Sequence, residues 1–416
     1  MAPAAGVADP HAASRRERLP QDVLPVYDRE SVERVFREHG IKPKHVDAVY
    51  KHLASSPTAA LGDLEDPAVC PSIPVKARDL LRERFTTTTT RVVGRQDGGS
   101  ATKLLVELFD GQRIETVVMR HDSTLGIDPS QPDGRRRGGE RATLCVSSQV
   151  GCEMGCKFCA TGTMGLRADL LRHEIIEQLY HARRVEPIRN IVFMGMGEPL
   201  ANYGEVRAAI GEVTNQKSFG IAPRRITVST VGVIPGILKM AKDMPNVHLA
   251  LSLHAPTQGL RQDIVPSAGA AGLTRLMGAV KRYQDQTGNR VFIEYVMLHG
   301  VNDGETEAHE LGLLLQDHGV EAVINLIPWN PVLADPGIVF EAPGVEHLER
   351  FQKILGGVYG VRTTIRVEKG QDISGACGQL VVADEAKGGG GGGGGRDIED
   401  LVRGVGAGAE TACGCS

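Results

Sequence analysis

Cys152, Cys156 and Cys159 stand within eight residues in "SSQVGCEMGCKFCATG", spaced C-x₃-C-x₂-C, with an aromatic residue just before the last. A closed structural zinc site takes four ligands, usually from two separated C-x-x-C pairs. No second pair occurs in the part of the chain that reads as folded. A thioredoxin-type dithiol would use Cys156 and Cys159 and leave Cys152 unexplained. Cysteines that merely fill a core have no reason to adopt this spacing. A cubane iron–sulfur cluster takes one thiolate per iron. Three thiolates on one tight loop therefore hold three irons of a [4Fe-4S] cluster and leave the fourth open to a small molecule.

Such a loop needs a frame, and from Arg141 the sequence supplies one. Apolar, β-branched runs ("ATLCVSSQV", "RNIVFMGMG", "RRITVSTVG", "VHLALSLHA", "RVFIEYVML", "AVINLIPW") alternate with helical patterns, and a last strand "VRTTIRVE" follows. Continuous apolar strands between helices are the mark of parallel strands covered on both faces. Six βα units predict an α/β fold with a partial (βα)₆ barrel of the TIM type, whose chemistry sits where strands end and loops begin. Polar residues fall at those ends. Gly197 and Glu198 follow the second strand, Ser229 ends the third, Ser252, Leu253 and His254 end the fourth, and Asn330 follows the sixth. Taken singly, each of them reads better as a turn or capping residue. Their recurrence on successive strand ends is harder to dismiss.

Outside the barrel the texture differs. Residues 1–20 read as a disordered start. Its Arg15, Arg16 and Arg18 faintly resemble an organelle transit peptide for chloroplast or mitochondrion, but Asp9 and Glu17 favour a cytoplasmic protein. Residues 21–120 read as a small N-terminal helical module plus three alternating strands forming a small antiparallel sheet, with Asp110-Gly111 as a hairpin turn. Residues 121–140 read as a polar surface loop containing Arg135–Arg137, and 141–380 as the barrel. Residues 381–416 read as a disordered tail with eight successive glycines and the Cys413/Cys415 pair.

The 416 residues are 41% hydrophobic with a net charge of −4, so a large nucleic-acid partner must be met by local basic patches. Eight cysteines clustered at chosen places suit a reducing compartment rather than a disulfide scaffold. No apolar run is long enough to span a bilayer.

C-x₃-C-x₂-C at the end of the first strand of a βα barrel resembles the radical S-adenosylmethionine (SAM) superfamily. That resemblance implies a [4Fe-4S] cluster whose open iron binds S-adenosylmethionine and, on one-electron reduction, yields a 5′-deoxyadenosyl radical. "RATLCVSSQVGC", "FMGMGEPL", "LSLHAP", "NLIPWNP" and "ACGQL" narrow it to a resemblance to the RNA adenine-C2 methyltransferases, running from about Glu115 to Leu380. Those enzymes methylate an adenosine of large-subunit ribosomal RNA and, in bacteria, of certain transfer RNAs.

The resemblance implies that Cys377 carries a methyl group taken from one of two S-adenosylmethionine molecules per turnover. It implies that Glu115 removes the C2 proton and that Cys145 resolves the RNA adduct through a disulfide with Cys377. Gly197, Glu198, Ser229, Ser252–His254 and Asn330 are the expected cofactor contacts. A flavodoxin- or ferredoxin-type electron donor, no membrane partner and a monomeric chain are further expectations. The alternatives are a C8-specific adenosine methyltransferase, which uses the same cysteines, another radical enzyme such as an activase of a protein, and an RNA-binding iron–sulfur protein without turnover.

Overall fold

The computed structural model describes residues 23–121, 141–332, 340–366 and 369–380. The expected disordered start, the Arg135–Arg137 loop and the tail with Cys413 and Cys415 lie outside these described residues.

Two amphipathic helices open the described chain, α1 (Arg29–Glu38) and α2 (Lys44–Ser55). Val32, Val35 and Phe36 of α1 and Val46, Val49, Tyr50 and Leu53 of α2 recur at three- and four-residue intervals and are buried. The chain turns between them at Gly40, whose φ of +71° is open to glycine at little cost. Helix α3 (Val75–Arg84) follows, starting directly after Pro74.

The strands come next: β1 (Arg91–Asp97), β2 (Ala101–Glu107), β3 (Arg113–His121) and β4 (Arg141–Cys145). A short hairpin, β5 (Gln149–Cys152) and β6 (Gly165–Asp169), encloses the cluster motif. The alternation then runs α4 (Arg172–Ala182), β7 (Ile188–Phe193), α5 (Tyr203–Thr214), β8 (Ile226–Thr230), α6 (Ile234–Asp243) and β9 (His248–Ser252). It finishes with α7 (Leu273–Thr287), β10 (Val291–Met297), α8 (Glu305–Asp317), β11 (Ala322–Pro328), α9 (Val345–Gly357) and β12 (Arg362–Ile365).

One ten-stranded sheet has the order β12-β11-β10-β9-β8-β7-β4-β3-β2-β1. From β4 to β12 every pairing is parallel, as the six βα units and the last strand predict. Two expectations change. The strands before residue 121 do not form a separate small sheet: β3 pairs antiparallel with β4, so they are a wing of the barrel sheet itself. The run "ATLCVSSQV" is not one strand either. It ends at Cys145, and Gln149–Cys152 turns away to pair with β6. Periodicity in an apolar run cannot report such a change of partner, because both halves are buried.

The core strands are near-continuously buried, β10 most plainly, with only Phe292 partly exposed among its seven residues. Helix α4 is buried along His173–Ala182, where Tyr180 packs against Tyr27 and Glu177 accepts the N–H groups of Thr89 and Thr90. Among the described residues no helix is long and apolar enough to cross a membrane.

Candidate active site

The hairpin β5–β6 holds the three cysteines over the strand ends. Cys152 ends β5, and Cys156 and Cys159 follow on the turn before a short helix, Ala160–Thr163. They line one wall of a cavity of about 850 Å³. Burial pushes the Cys152 thiol up to about 12, and it raises Cys156 and Cys159 as well. Among the described residues, one group of His, Cys, Asp and Glu is close enough to share a single ion, and it lies elsewhere, at His299, Asp303 and His347.

Gly197, Glu198, Ser229, Ser252 and His254 line the same cavity. Gly197 sits at φ +98°, and a Cβ there would fall 2.5 Å from the Gln149 Cβ. Only glycine lets the two loops touch. Glu198 donates its N–H to Gln149 Oε1 at 2.7 Å, and its carboxylate accepts the N–H groups of Leu200 and Val231, each at 2.9 Å. Burial raises its carboxyl to about 7 against those hydrogen bonds. The Ser229 and Ser252 hydroxyls are 3.1 Å apart.

His254 adopts φ +62°, and its Nδ1 accepts the Val296 N–H at 3.1 Å. Its ring meets Phe158 edge-on, with centroids 4.6 Å apart. Burial, reinforced by Arg261, pulls it down to about 3, so it is neutral. The Leu253 side chain is in the apolar core, and its carbonyl accepts the Arg261 Nε–H at 3.1 Å.

A second cavity, of about 1080 Å³, adjoins the first. Cys145 and Asn330 line it, and Cys377 lines both cavities. Asn330 thus lies on the second cavity, not beside the thiols. Its Nδ2 donates to the Cys377 carbonyl at 3.1 Å, and its Oδ1 accepts from Gln371 Nε2 at 2.9 Å. Two further bonds dock the Cys377 segment onto the cluster loop, from the Ala160 N–H to Gly378 O at 2.7 Å and from Thr161 Oγ1 to Leu380 O at 2.6 Å. They explain how residues more than two hundred positions apart share one site. Burial raises Cys145 to about 12. Cys377 pushes the same way and Arg366 opposes.

Glu115 lines neither cavity among the described residues. It is buried in the middle of β3, with Lys103 Nζ 2.8 Å from its Oε1. Val117 sits opposite Cys145, so Glu115 shares a sheet face with Cys145 and with Met119 and His121, which line the second cavity. Lys103 also reaches the Ser374 carbonyl at 3.3 Å, tying Glu115 to the Cys377 segment.

The Radical SAM superfamily model matches residues 146–311. The chain is 41% identical over 318 residues to "Ribosomal RNA large subunit methyltransferase N" of Nitrosopumilus maritimus, covering 74% of this chain and 86% of that protein. It is 35% identical to the "Probable dual-specificity RNA methyltransferase RlmN" of Aquifex aeolicus, covering 85% of this chain and 95% of that one. The chain belongs to the RlmN family of radical SAM RNA methyltransferases. A crystal structure of a radical SAM methyltransferase from Sphaerobacter thermophilus superposes with a TM-score of 0.72 at 37% identity, over 86% of this chain and 99% of that one.

A [4Fe-4S] cluster and S-adenosylmethionine are the cofactors of this RlmN-family enzyme, and the residues present fit them. Three thiols, Cys156 buried and Cys152 and Cys159 half-buried, face a cavity whose rim carries a buried carboxylate and a serine pair. Sequence reasoning missed Arg366, which lines both cavities beside Cys377 and faces Glu294 at 3.5 Å. Asn325 holds the other Glu294 oxygen at 2.9 Å. The available signal was a lone carboxylate inside the apolar run "VFIEYVM", since a buried charge needs a partner.

Proposed function

We propose that this enzyme methylates C2 of an adenosine in large-subunit ribosomal RNA, and in transfer RNA, through a methyl group carried on Cys377. The observation that supports this reading most is Cys377 itself, a thiol shared between the cavity lined by the three cluster cysteines and the cavity lined by Cys145. Carbon 2 of adenine is electron-poor and has no lone pair, so it cannot displace a sulfonium methyl as an amine would. When bound, the cluster and S-adenosylmethionine supply a methyl group and the one-electron chemistry that turns a methyl into a radical.

The chain's own residues do the rest. Cys152, Cys156 and Cys159 hold the cluster. Gly197 lets the cofactor lie against backbone, Glu198 accepts its ammonium, and Ser229, Ser252 and His254 orient it. Cys377 would accept a methyl by thiolate displacement as S-adenosylhomocysteine leaves, give up one of that methyl's hydrogen atoms to the radical supplied by a second S-adenosylmethionine, and add to C2 through the resulting sulfur-bound methylene radical. Glu115 takes the C2 proton. Cys145 would then attack the Cys377 sulfur as the S–CH₂ bond breaks: the disulfide forms, the methylene carbon takes up a proton to become the methyl of the released base, and the one electron left over passes back to the cluster. The next turnover needs that disulfide reduced, which suits the cytoplasm.

The second cavity would receive the target base after it leaves its stack, because C2 is inaccessible inside one. The exposed cations Arg34, Arg37, Lys42, Lys44 and Lys51 on α1, α2 and the turn between them would meet the RNA backbone. Mass spectrometry of ribosomal and transfer RNA from cells with and without the gene tests the reading. It expects 2-methyladenosine that disappears with the gene. Loss of 8-methyladenosine instead would move the site of attack, and loss of neither would overturn the proposal.

A further inference from the structure

The site above leaves one cluster of metal-binding side chains unused, and it lines neither cavity. His299 and Asp303 lie on the loop after β10. The Asn302 N–H bonds to Leu298 O at 3.3 Å, so the loop makes a single helical turn. A turn of that kind puts residues four apart on one face. Asn302 fixes the loop from within: its Oδ1 accepts the Leu298 N–H at 2.7 Å, and its Nδ2 donates to the His254 and Val296 carbonyls at 2.8 and 2.7 Å. His347 comes from a separate element, the first turn of α9.

The Asp303 side chain is 7% exposed while His299 and His347 are 45% and 52% exposed, so the carboxylate forms the floor and the imidazoles the open rim. Asp303 Oδ1 accepts the Gly300 N–H at 2.8 Å, which leaves Oδ2 aimed outward. His299 Nδ1 lies 3.0 Å and His347 Nδ1 3.7 Å from that one oxygen. The two rings are stacked, with centroids 5.3 Å apart and planes 22° apart.

Metal–ligand bonds of about 2.0–2.2 Å put neighbouring donor atoms roughly 3–3.5 Å apart. The two His–Asp separations are close to that without any ion present. Two imidazoles and one carboxylate select a borderline transition ion over calcium or magnesium, which want oxygen throughout. The backbone N–H on the far carboxylate oxygen is the outer hydrogen bond that orients such a ligand.

We propose that His299, Asp303 and His347 form a surface site for one zinc-class divalent ion. The ion would pin the loop that supports His254 to helix α9, which leads into β12 and the Cys377 segment.

The test uses holoenzyme with its full iron content, so that the cluster cysteines are occupied and cannot take zinc. The protein is equilibrated with micromolar zinc sulfate and desalted, and metals are counted by plasma mass spectrometry at equal iron. One zinc per chain is expected in the wild type, with loss in both His299→Ala and His347→Ala. Zinc should also raise the melting temperature of the wild type and of neither variant. Both imidazoles are exposed, so the variants should melt with the zinc-free wild type. A wild type that retains no zinc, or variants that retain as much as it does, would overturn the site.

Discussion

The two cavities that meet at Cys377 are built by different means. Around the three thiols, polar side chains are held by nearby backbone: Glu198 by two N–H groups, His254 by one, with Gly197 pressed against Gln149. Their anchors are consecutive ends of parallel strands. The second cavity draws its walls from far apart in the chain, with Met119 and His121 from the antiparallel wing, Cys145 from β4, and Asn330, Arg366 and Lys369 from the C-terminal end. Side-chain bonds such as Asn330 to Cys377 hold it together. A cofactor that is the same in every turnover suits the first construction. A base delivered on a large RNA suits the second, larger and assembled from segments that can each carry RNA contacts.

If that division is right, substitutions should separate by cavity. Cys377→Ala should abolish RNA methylation while S-adenosylmethionine cleavage continues, since the residues proposed to hold the cofactor are untouched. Cys145→Ala should stop at the last step and leave RNA crosslinked to protein on a denaturing gel. Methylation by the first variant, or a clean gel with the second, would break the comparison at its hinge.

Glu115→Gln tests whether the antiparallel wing takes part in chemistry. Loss of a general base costs about 10²–10⁴-fold in rate, which single-turnover kinetics would read with cofactor binding unchanged. Wild-type turnover would make the Glu115–Lys103 pair structural only. Glu198→Gln belongs to the other cavity. It should weaken S-adenosylmethionine binding by about 1.5–3 kcal/mol, the range of a hydrogen bond to a charged group, without changing RNA affinity. Equilibrium dialysis with each ligand measures both.

The smallest effect lies outside both cavities. His181, hydrogen-bonded to Thr90 at 2.9 Å, is held down to about 4 by burial and then by Arg184. The folded chain thus binds fewer protons than the unfolded one between that value and the ordinary 6.5. Its share of stability is full above the ordinary value and is lost as pH falls toward the lower one. His181→Gln should therefore flatten the acid side of the stability profile by about 1–2 kcal/mol. An unchanged slope of melting temperature against pH would contradict this.

The parallel half of the sheet was legible because each buried strand announces itself as an apolar run and each helix by its period. The cluster motif was legible because three thiols crowded into eight residues fit neither a closed zinc site nor a dithiol, and one thiolate per iron then counts the irons. The joining of β3 to β4 was not, since strand partners are not encoded in the alternation of either strand. Arg366 was missed for a related reason: its place between two cysteines depends on where β12 docks, and a cation at a strand end is ordinary in sequence. Asn330 was expected among the cofactor contacts because it follows a strand end like the others. Its hydrogen bond to the Cys377 carbonyl sets it on the second cavity, beside the cysteine that lines both.

The central claim is that Cys377 carries the methyl between the two cavities. Tandem mass spectrometry of the Cys377 peptide, from reduced holoenzyme given S-adenosylmethionine and no RNA, tests it most directly. The account predicts one added methyl on Cys377 and none on Cys145. An unmodified Cys377 in a preparation that goes on to methylate RNA would contradict it.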